Sequence, residues 1–139
     1  MTTKGRGPIE QARAALLCLD WKAKCMRVFG EGPMPFLDTD NLPVIERLPG
    51  WYGRYFHTQN MTFAHYNFTR GSSIHEHFHP EEEVYEVIEG ELEVSIDGVA
   101  QIARAGLVAI VPANARHSVQ ALTDGKAIIV DYPARRDFA

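Results

Sequence analysis

Hydrophobic and polar positions follow two different periods along the chain. Between residues 9 and 26, apolar side chains recur at intervals of three and four, which places them on one face of an α-helix. From residue 44 onward, apolar residues instead form short runs, and the clearest of these alternate with polar residues as half-buried β-strands do. The pattern therefore predicts an N-terminal helix followed by an all-β domain.

The helical stripe ends in a connector of low regularity. Pro8 precedes the stripe at a position where helices begin, and glycines at positions 30 and 32 follow it. Residues 30–43 are rich in Gly and Pro. We expect the helix to pack on the outside of the β domain or on a partner subunit. The predicted organisation is a helix and connector over residues 1–43 and a β domain over residues 44–139. The stripe comprises Ile9, Ala12, Leu16, Leu19, Ala23 and Met26.

Short strands separated by turn-forming residues are typical of the second part of the chain. The pair Asp97-Gly98 suits the two-residue type I′ turn of a β-hairpin. Strands at roughly ten-residue spacing predict a sandwich or barrel rather than a parallel sheet. The predicted strands are Phe63–Phe68, Val84–Ile88, Leu92–Ile96, Leu107–Val111 and Ala127–Val130.

Composition and charge narrow the classes of function. The net charge is −4 and the one basic pair is Arg135-Arg136, so nucleic acid is not expected as a partner. No apolar run approaches the ~20 residues of a membrane-spanning helix, and the N-terminus lacks the apolar run of a secretory signal. Cys18 and Cys25 are too far apart along the predicted helix for a disulfide. These features predict free thiols in a cytoplasmic protein.

Histidines and carboxylates are concentrated in one stretch of the β domain. Because residues i and i+2 of a strand share a face, the first three histidines of this group are expected to project together. Glu83 follows after a short turn and can add a carboxylate, although Glu81 and Glu82 offer the same group. Imidazole with carboxylate suits Fe, Mn, Ni, Zn or Cu, whereas Ca and Mg prefer oxygen ligands. The histidines are His75, His77, His79 and, farther along, His117.

The spacing of these residues identifies a family. Gly71, His77, His79, Glu83 and Gly90 stand in the order Gly-x5-His-x-His-x3-Glu-x6-Gly, and Gly106, Pro112 and His117 stand in Gly-x5-Pro-x-Gly-x2-His-x3-Asn. These are the two cupin motifs, so the chain resembles the cupins. Asn114 replaces the internal Gly of the second motif and Ala121 its final Asn. Because Asn tolerates positive φ, we expect the turn at residue 114 to be retained.

The resemblance implies an all-β jelly-roll barrel with the helix as an N-terminal extension. It also implies one divalent transition metal ion on His77, His79, Glu83 and His117, since Glu83 alone keeps the spacing to Gly90. Four ligands in an octahedral shell leave two positions for a small-molecule substrate. Three classes remain open: an isomerase or lyase, an Fe(II) dioxygenase, and a non-catalytic binding or sensing module.

Two further features bear on the reaction. Tyr85 shares the strand face of Glu83 and is the candidate general base. Tyr66 and Tyr132 are weaker candidates for this role. Alternatively, Tyr85 only packs in the interior of the barrel. The ending Asp131-Tyr-Pro-Ala-Arg-Arg-Asp-Phe138 resembles that of small cupins acting on unsaturated uronates or other sugar acids. In that comparison, Asp131 and Arg135 face an anionic substrate, because a guanidinium binds carboxylates bidentately. A charged tail that caps the barrel is the alternative.

The sequence thus predicts a metal-dependent enzyme on a small polar or anionic metabolite, with Tyr85 and Arg135 as catalytic candidates. A homodimer is also predicted. Cupins often pair edge to edge, and the outward residues Phe78, Val84 and Ile88 are apolar enough for a buried subunit face.

Overall fold

The structure, a computed structural model, describes residues 36–136. The predicted helix and both cysteines lie outside these residues. From Asp38 onward the chain forms one unit, and the domain boundary at residue 44 stays a prediction. A 3₁₀ helix, Thr39–Asn41, precedes ten strands: β1 Ile45–Leu48, β2 Trp51–His57, β3 Thr62–Phe68, β4 Ser73–His77, β5 Glu82–Glu89, β6 Glu91–Ile96, β7 Val99–Arg104, β8 Val108–Val111, β9 His117–Ala121 and β10 Gly125–Tyr132.

The ten strands form two antiparallel sheets. One has six strands in the order β1-β2-β3-β10-β5-β8, and the other has four in the order β4-β9-β6-β7. From β3 onward the chain changes sheet at every connection between consecutive strands except the one between β6 and β7. The predicted all-β jelly-roll architecture is confirmed. No helix among residues 36–136 has the length and apolar character needed to cross a membrane.

The core lies between the two sheets and alternates with outward-facing residues along each strand. Trp51, Tyr85 and Ile129 from the larger sheet and Leu92 from the smaller sheet are fully buried. Edge-to-face ring contacts order the aromatic part of this core, with Tyr66 5.5 Å from Trp51 between ring centroids. Such pairs add to the burial of apolar area that stabilises the sandwich.

All five strands predicted from short apolar runs between turn residues are present, with small shifts at their ends. Strands β1, β2, β7 and β9 were not predicted. β7 exposes every residue but Ala103, so its sequence does not alternate. β2 contains Gly53, which the sequence pattern treats as a strand breaker. A Cβ at Gly53 would lie 2.6 Å from the ring of Tyr55, so the missing side chain makes room for that buried ring.

Two turns have the backbone conformation that the sequence predicts. Asp97 and Gly98 have φ values of 47° and 83° and join β6 to β7, as a type I′ hairpin requires. Asn114 has φ of 63°, so it takes the left-handed conformation of the motif glycine that it replaces. Ala121, the other departure from the second motif, is a buried residue of β9.

Truncation of the core tests the packing between the sheets. Leu92→Ala removes a side chain that is 0% exposed, and we expect the free energy of unfolding to fall by about 2–5 kcal/mol. Glu93→Ala, on the outward face of the same strand, should change it by no more than about 0.5 kcal/mol. Urea denaturation measures both, and equal losses in the two variants would contradict this assignment of the faces of β6.

Candidate metal centre

Three histidines and one glutamate converge between the two sheets. His77 ends β4 and His117 begins β9, and the two residues lie directly opposite each other in the antiparallel pair. Glu83 enters from β5 of the other sheet. His79 lies in the connection between β4 and β5. One potential ligand atom from each of the four residues lies within 4.8 Å of the others, so the structure brings together all four predicted ligands.

The connection that holds His79 is attached to the turn of the second motif. The backbone N–H of Asn114 donates to the carbonyl oxygen of His79 at 2.8 Å. The left-handed conformation of Asn114 therefore belongs to a turn that holds a residue of the cluster in place. The strand-parity argument reaches only to His77, because β4 ends there.

Main-chain carbonyls determine how two of the imidazoles are oriented. His77 Nδ1 lies 2.8 Å from the carbonyl oxygen of His75, and His117 Nδ1 lies 2.9 Å from that of Ala115. A carbonyl oxygen can only accept, so in each ring Nδ1 is the protonated nitrogen. Nε2 of both rings therefore keeps the lone pair that a metal ion needs.

The buried polar atoms of the cluster lack ordinary hydrogen-bond partners. Glu83 Oε2 lies 2.8 Å from His117 Nε2 and 3.4 Å from His79 Nε2. Although these distances are short, none of the three atoms makes an aligned hydrogen bond with any residue that the structure describes. A buried polar atom without a partner costs about 1–3 kcal/mol. A cation bound by all of them would remove that cost, and three nitrogens with one carboxylate oxygen suit a divalent transition metal.

The local charges keep the carboxylate ionised. Burial opposes ionisation of Glu83, but the adjacent His117 and His79 imidazoles outweigh it and lower the pKa of Glu83 to about 2. Burial likewise opposes the charged form of His117, yet the Glu83 carboxylate raises the pKa of His117 above its usual value. The cluster thus presents an ionised carboxylate to any cation that enters.

A cavity of about 270 Å³ opens onto the cluster. Its walls combine two cluster residues, two arginines, two tyrosines and an apolar surface. This is about the size of site that encloses a small metabolite. The lining residues are Arg47, Leu48, Tyr66, Ile74, His75, His77, Glu83, Tyr85, Ile129 and Arg135.

The three candidate tyrosines are placed very differently. Tyr85 is 1% exposed, lines the cavity, and its hydroxyl interacts with the Glu83 carboxylate. Burial, followed by the charge of Glu83, raises the pKa of Tyr85 well above its usual value. Tyr66 also lines the cavity, with its hydroxyl 2.8 Å from that of Tyr55. Tyr132 is 58% exposed and is not among the residues that line the cavity.

Arg135 lines the cavity and is held by two carboxylates. Its Nε lies 3.8 Å from Glu81 Oε2, and its Nη1 lies 3.7 Å from Asp131 Oδ1. The backbone N–H of Arg135 donates to Thr62 Oγ1 at 2.9 Å. Asp131 is buried and is not part of the cavity wall. Burial, with the nearby Glu83 charge, raises the pKa of Asp131 to about 7.

Two residues of this region were missed as site residues by the sequence analysis. Arg47 lines the cavity from β1, with its guanidinium carbon 6.0 Å from the centroid of the Tyr55 ring. It was missed because β1 was not predicted. Glu81 was considered only as a metal ligand, but it is outside the cluster, and its Oε2 lies 3.3 Å from His79 Nδ1. His75 lines the cavity without joining the cluster.

Comparison with known proteins agrees with this arrangement. The family model described as Cupin domain matches residues 64–132, which include Glu83, His117 and the intervening strands. The chain belongs to the cupin family. An RmlC-like cupin from Shewanella frigidimarina is 26% identical over 77% of this chain and 97% of that protein, with a TM-score of 0.71. None of the curated proteins matches this cupin significantly.

Further solved structures resemble this cupin in fold. KdgF from a Halomonas species is 23% identical over 77% of this chain and all of that protein, with a TM-score of 0.72. A variant of Bacillus subtilis oxalate decarboxylase is 20% identical over 78% of this chain and 32% of its own, with a TM-score of 0.65. The membership in the cupin family that the two sequence motifs predicted is confirmed.

Removal of one cluster residue tests the centre. We expect purified wild type to contain a divalent transition metal and His117→Ala to contain almost none, because that variant loses a buried nitrogen of the cluster. His75→Ala is the matched control, since it removes a neighbouring imidazole but keeps the carbonyl that orients His77. Elemental analysis after dialysis measures the metal content. Equal content in wild type and His117→Ala would show that the cluster does not bind the metal.

Proposed function

We propose that this cupin is a divalent-metal-dependent enzyme that acts on a small anionic metabolite. The observation that supports this proposal most directly is the cavity itself, because two arginines and two residues of the His/Glu cluster line it together. A carboxylate group of a ligand could pair with a guanidinium while a neighbouring oxygen faces the cluster. Such two-point attachment fixes the position of a small molecule.

In this proposal, each part of the site has a distinct role. His77, His79, Glu83 and His117 would hold the ion, which when bound supplies Lewis-acid polarisation of a substrate carbonyl or hydroxyl. Arg135, and Arg47 across from β1, would bind the anionic group. The apolar residues Leu48, Ile74 and Ile129 line the remaining wall and exclude water from the reacting atoms.

An isomerase or lyase is the reaction class that we favour. Both classes require a group that moves a proton on the substrate close to the polarised oxygen. The Tyr85 hydroxyl is beside Glu83 and on the cavity wall, so it is the proposed proton-transfer group. The donor set itself is compatible with Fe(II) and dioxygen chemistry as well, and oxygen uptake distinguishes that alternative.

A non-catalytic binding or sensing module is the second candidate function. The same arginines and cluster would then bind an anion without turnover, and Tyr85 would serve only to pack the barrel, where it is fully buried.

We also propose that the protein is a homodimer located in the cytoplasm. The homodimer is supported by exposed apolar side chains, since Phe78 and Ile88 are 57% and 48% exposed. Val84, the third residue of the predicted subunit face, is half-buried.

Removal of the Arg135 guanidinium tests anion binding. We expect Arg135→Ala, assayed at saturating metal with an unsaturated uronate, to raise KM by about 10- to 100-fold, because a charge-assisted hydrogen bond is lost. Arg136→Ala is the matched control, since Arg136 is exposed, is not part of the cavity wall, and donates from Nη2 to the Gln59 carbonyl oxygen at 3.3 Å. Equal KM values for the two variants would exclude Arg135 from substrate binding.

The Tyr85 hydroxyl is tested by its removal. We expect Tyr85→Phe to lower kcat by about 10²- to 10⁴-fold and to leave metal content unchanged. Tyr52→Phe, the same change at an outward position of β2, should have no effect.

Oxygen uptake by the Fe(II)-loaded protein distinguishes the reaction classes, and stoichiometric uptake with substrate would show a dioxygenase rather than a lyase or isomerase. A ligand-dependent rise in Tm without turnover of the uronate or other sugar acids would favour the binding module.

A further inference from the structure

His79 differs from the other two imidazoles in how it is oriented. His77 and His117 each have Nδ1 on a main-chain carbonyl. Nδ1 of His79 makes no aligned hydrogen bond within the described part of the chain. The acceptor within reach is Glu81 Oε2, at 3.3 Å. His79 is therefore the one cluster histidine whose orientation depends on a side chain.

We propose that Glu81 is a positioning residue that orients His79 for the metal and couples it to anion binding at Arg135. The inference rests on the metal site of the proposed function. Oε2 of Glu81 lies between the two partners, 3.3 Å from His79 Nδ1 and 3.8 Å from Arg135 Nε. One carboxylate oxygen thus connects a cluster residue with an arginine of the cavity wall.

The local chain geometry favours this role. Glu81 lies two residues after His79 and two before Glu83, in the connection that leads into β5. Its side chain is 16% exposed and that of His79 is 7% exposed, so water screens their interaction only weakly. Glu82, the next residue, is exposed and directed outward. The chain therefore turns only one of two adjacent glutamates toward the site.

The chemistry of this contact gives a direction to the coupling. A carboxylate that accepts the Nδ1 proton fixes the tautomer of His79 and makes Nε2 a stronger donor to the metal. The guanidinium of Arg135 competes for the same oxygen and weakens that effect. When an anionic ligand occupies Arg135, more of the Glu81 charge acts on His79. Ligand binding at the arginine and metal binding at the cluster should therefore strengthen each other.

Metal affinity, measured without turnover, tests the positioning role. We compare Glu81→Ala and Glu81→Gln with Glu82→Ala and Glu82→Gln in the full chain, by competition for Zn²⁺ with a chelator. The expected loss of Zn²⁺ affinity is about 10- to 100-fold for Glu81→Ala. It should be smaller for Glu81→Gln, whose amide oxygen still accepts a hydrogen bond, and absent at position 82. The absorption bands of the Co²⁺-loaded protein should shift in Glu81→Ala alone.

Stability and metal binding of the parent chain separate the possible failures. Unchanged circular dichroism and Tm of the metal-free variants would exclude a fold defect as the cause of lost affinity. If wild type binds Zn²⁺ and Glu81→Ala binds it as tightly as Glu82→Ala, the positioning role is overturned while the proposed function stands. If wild type binds no divalent metal, the proposed function itself fails.

The coupling to Arg135 has its own test. In a double-mutant cycle with Arg135→Gln, the loss of Zn²⁺ affinity on Glu81→Ala should be larger than in the parent, because Glu81 no longer shares its charge with the guanidinium. A loss that is more than about threefold larger in the Arg135→Gln background supports the coupling, and a smaller loss in that background contradicts it. Losses that agree within a factor of about two would show that Arg135 and the metal site are independent.

Discussion

The burial of one carboxylate among three imidazoles is the interaction on which this barrel is organised. An isolated carboxylate inside a protein is strongly disfavoured, so Glu83 requires positive or hydrogen-donating neighbours. Those neighbours come from different parts of the fold: His117 and His77 from an antiparallel pair in the smaller sheet, and His79 from the connection between the sheets. The two sheets must therefore be packed in their final arrangement before the charge of Glu83 is compensated.

Much of the fold could be predicted because short-range chemistry determines it. Short apolar runs between turn residues identified β3, β5, β6, β8 and β10, and the left-handed turns at Asp97 and Asn114 follow from the few residues that tolerate positive φ. The missed strands depend on neighbours distant in sequence. β9, for example, is held by pairing with β4 on one side and β6 on the other, and both are distant from it in sequence. A pattern within one strand cannot reveal such pairing.

The candidate site also has a part that was predictable from the sequence and a part that was not. The resemblance to the two cupin motifs identified four residues that the structure brings within 4.8 Å of one another, although they come from both sheets and from a connection between them. The residues around them do not follow from spacing. Arg47 reaches the cavity through sheet pairing at the far edge of the larger sheet, and Glu81 differs from Glu82 only in the direction that the connection gives its side chain. The cluster was thus predictable from the two motifs, while the rest of the cavity wall required the assembled barrel.

The use of main-chain acceptors for His77 and His117 has a consequence for how such a site can diverge. No amino-acid replacement at positions 75 or 115 removes the carbonyl oxygens on which these rings depend. The orientation of these two imidazoles is therefore kept when the side chains at positions 75 and 115 are substituted. Substitutions near His79 can then change the basicity of that imidazole while the Nε2 atoms of His77 and His117 stay in place. A barrel built in this way can vary the surroundings of one imidazole without losing the His/Glu cluster.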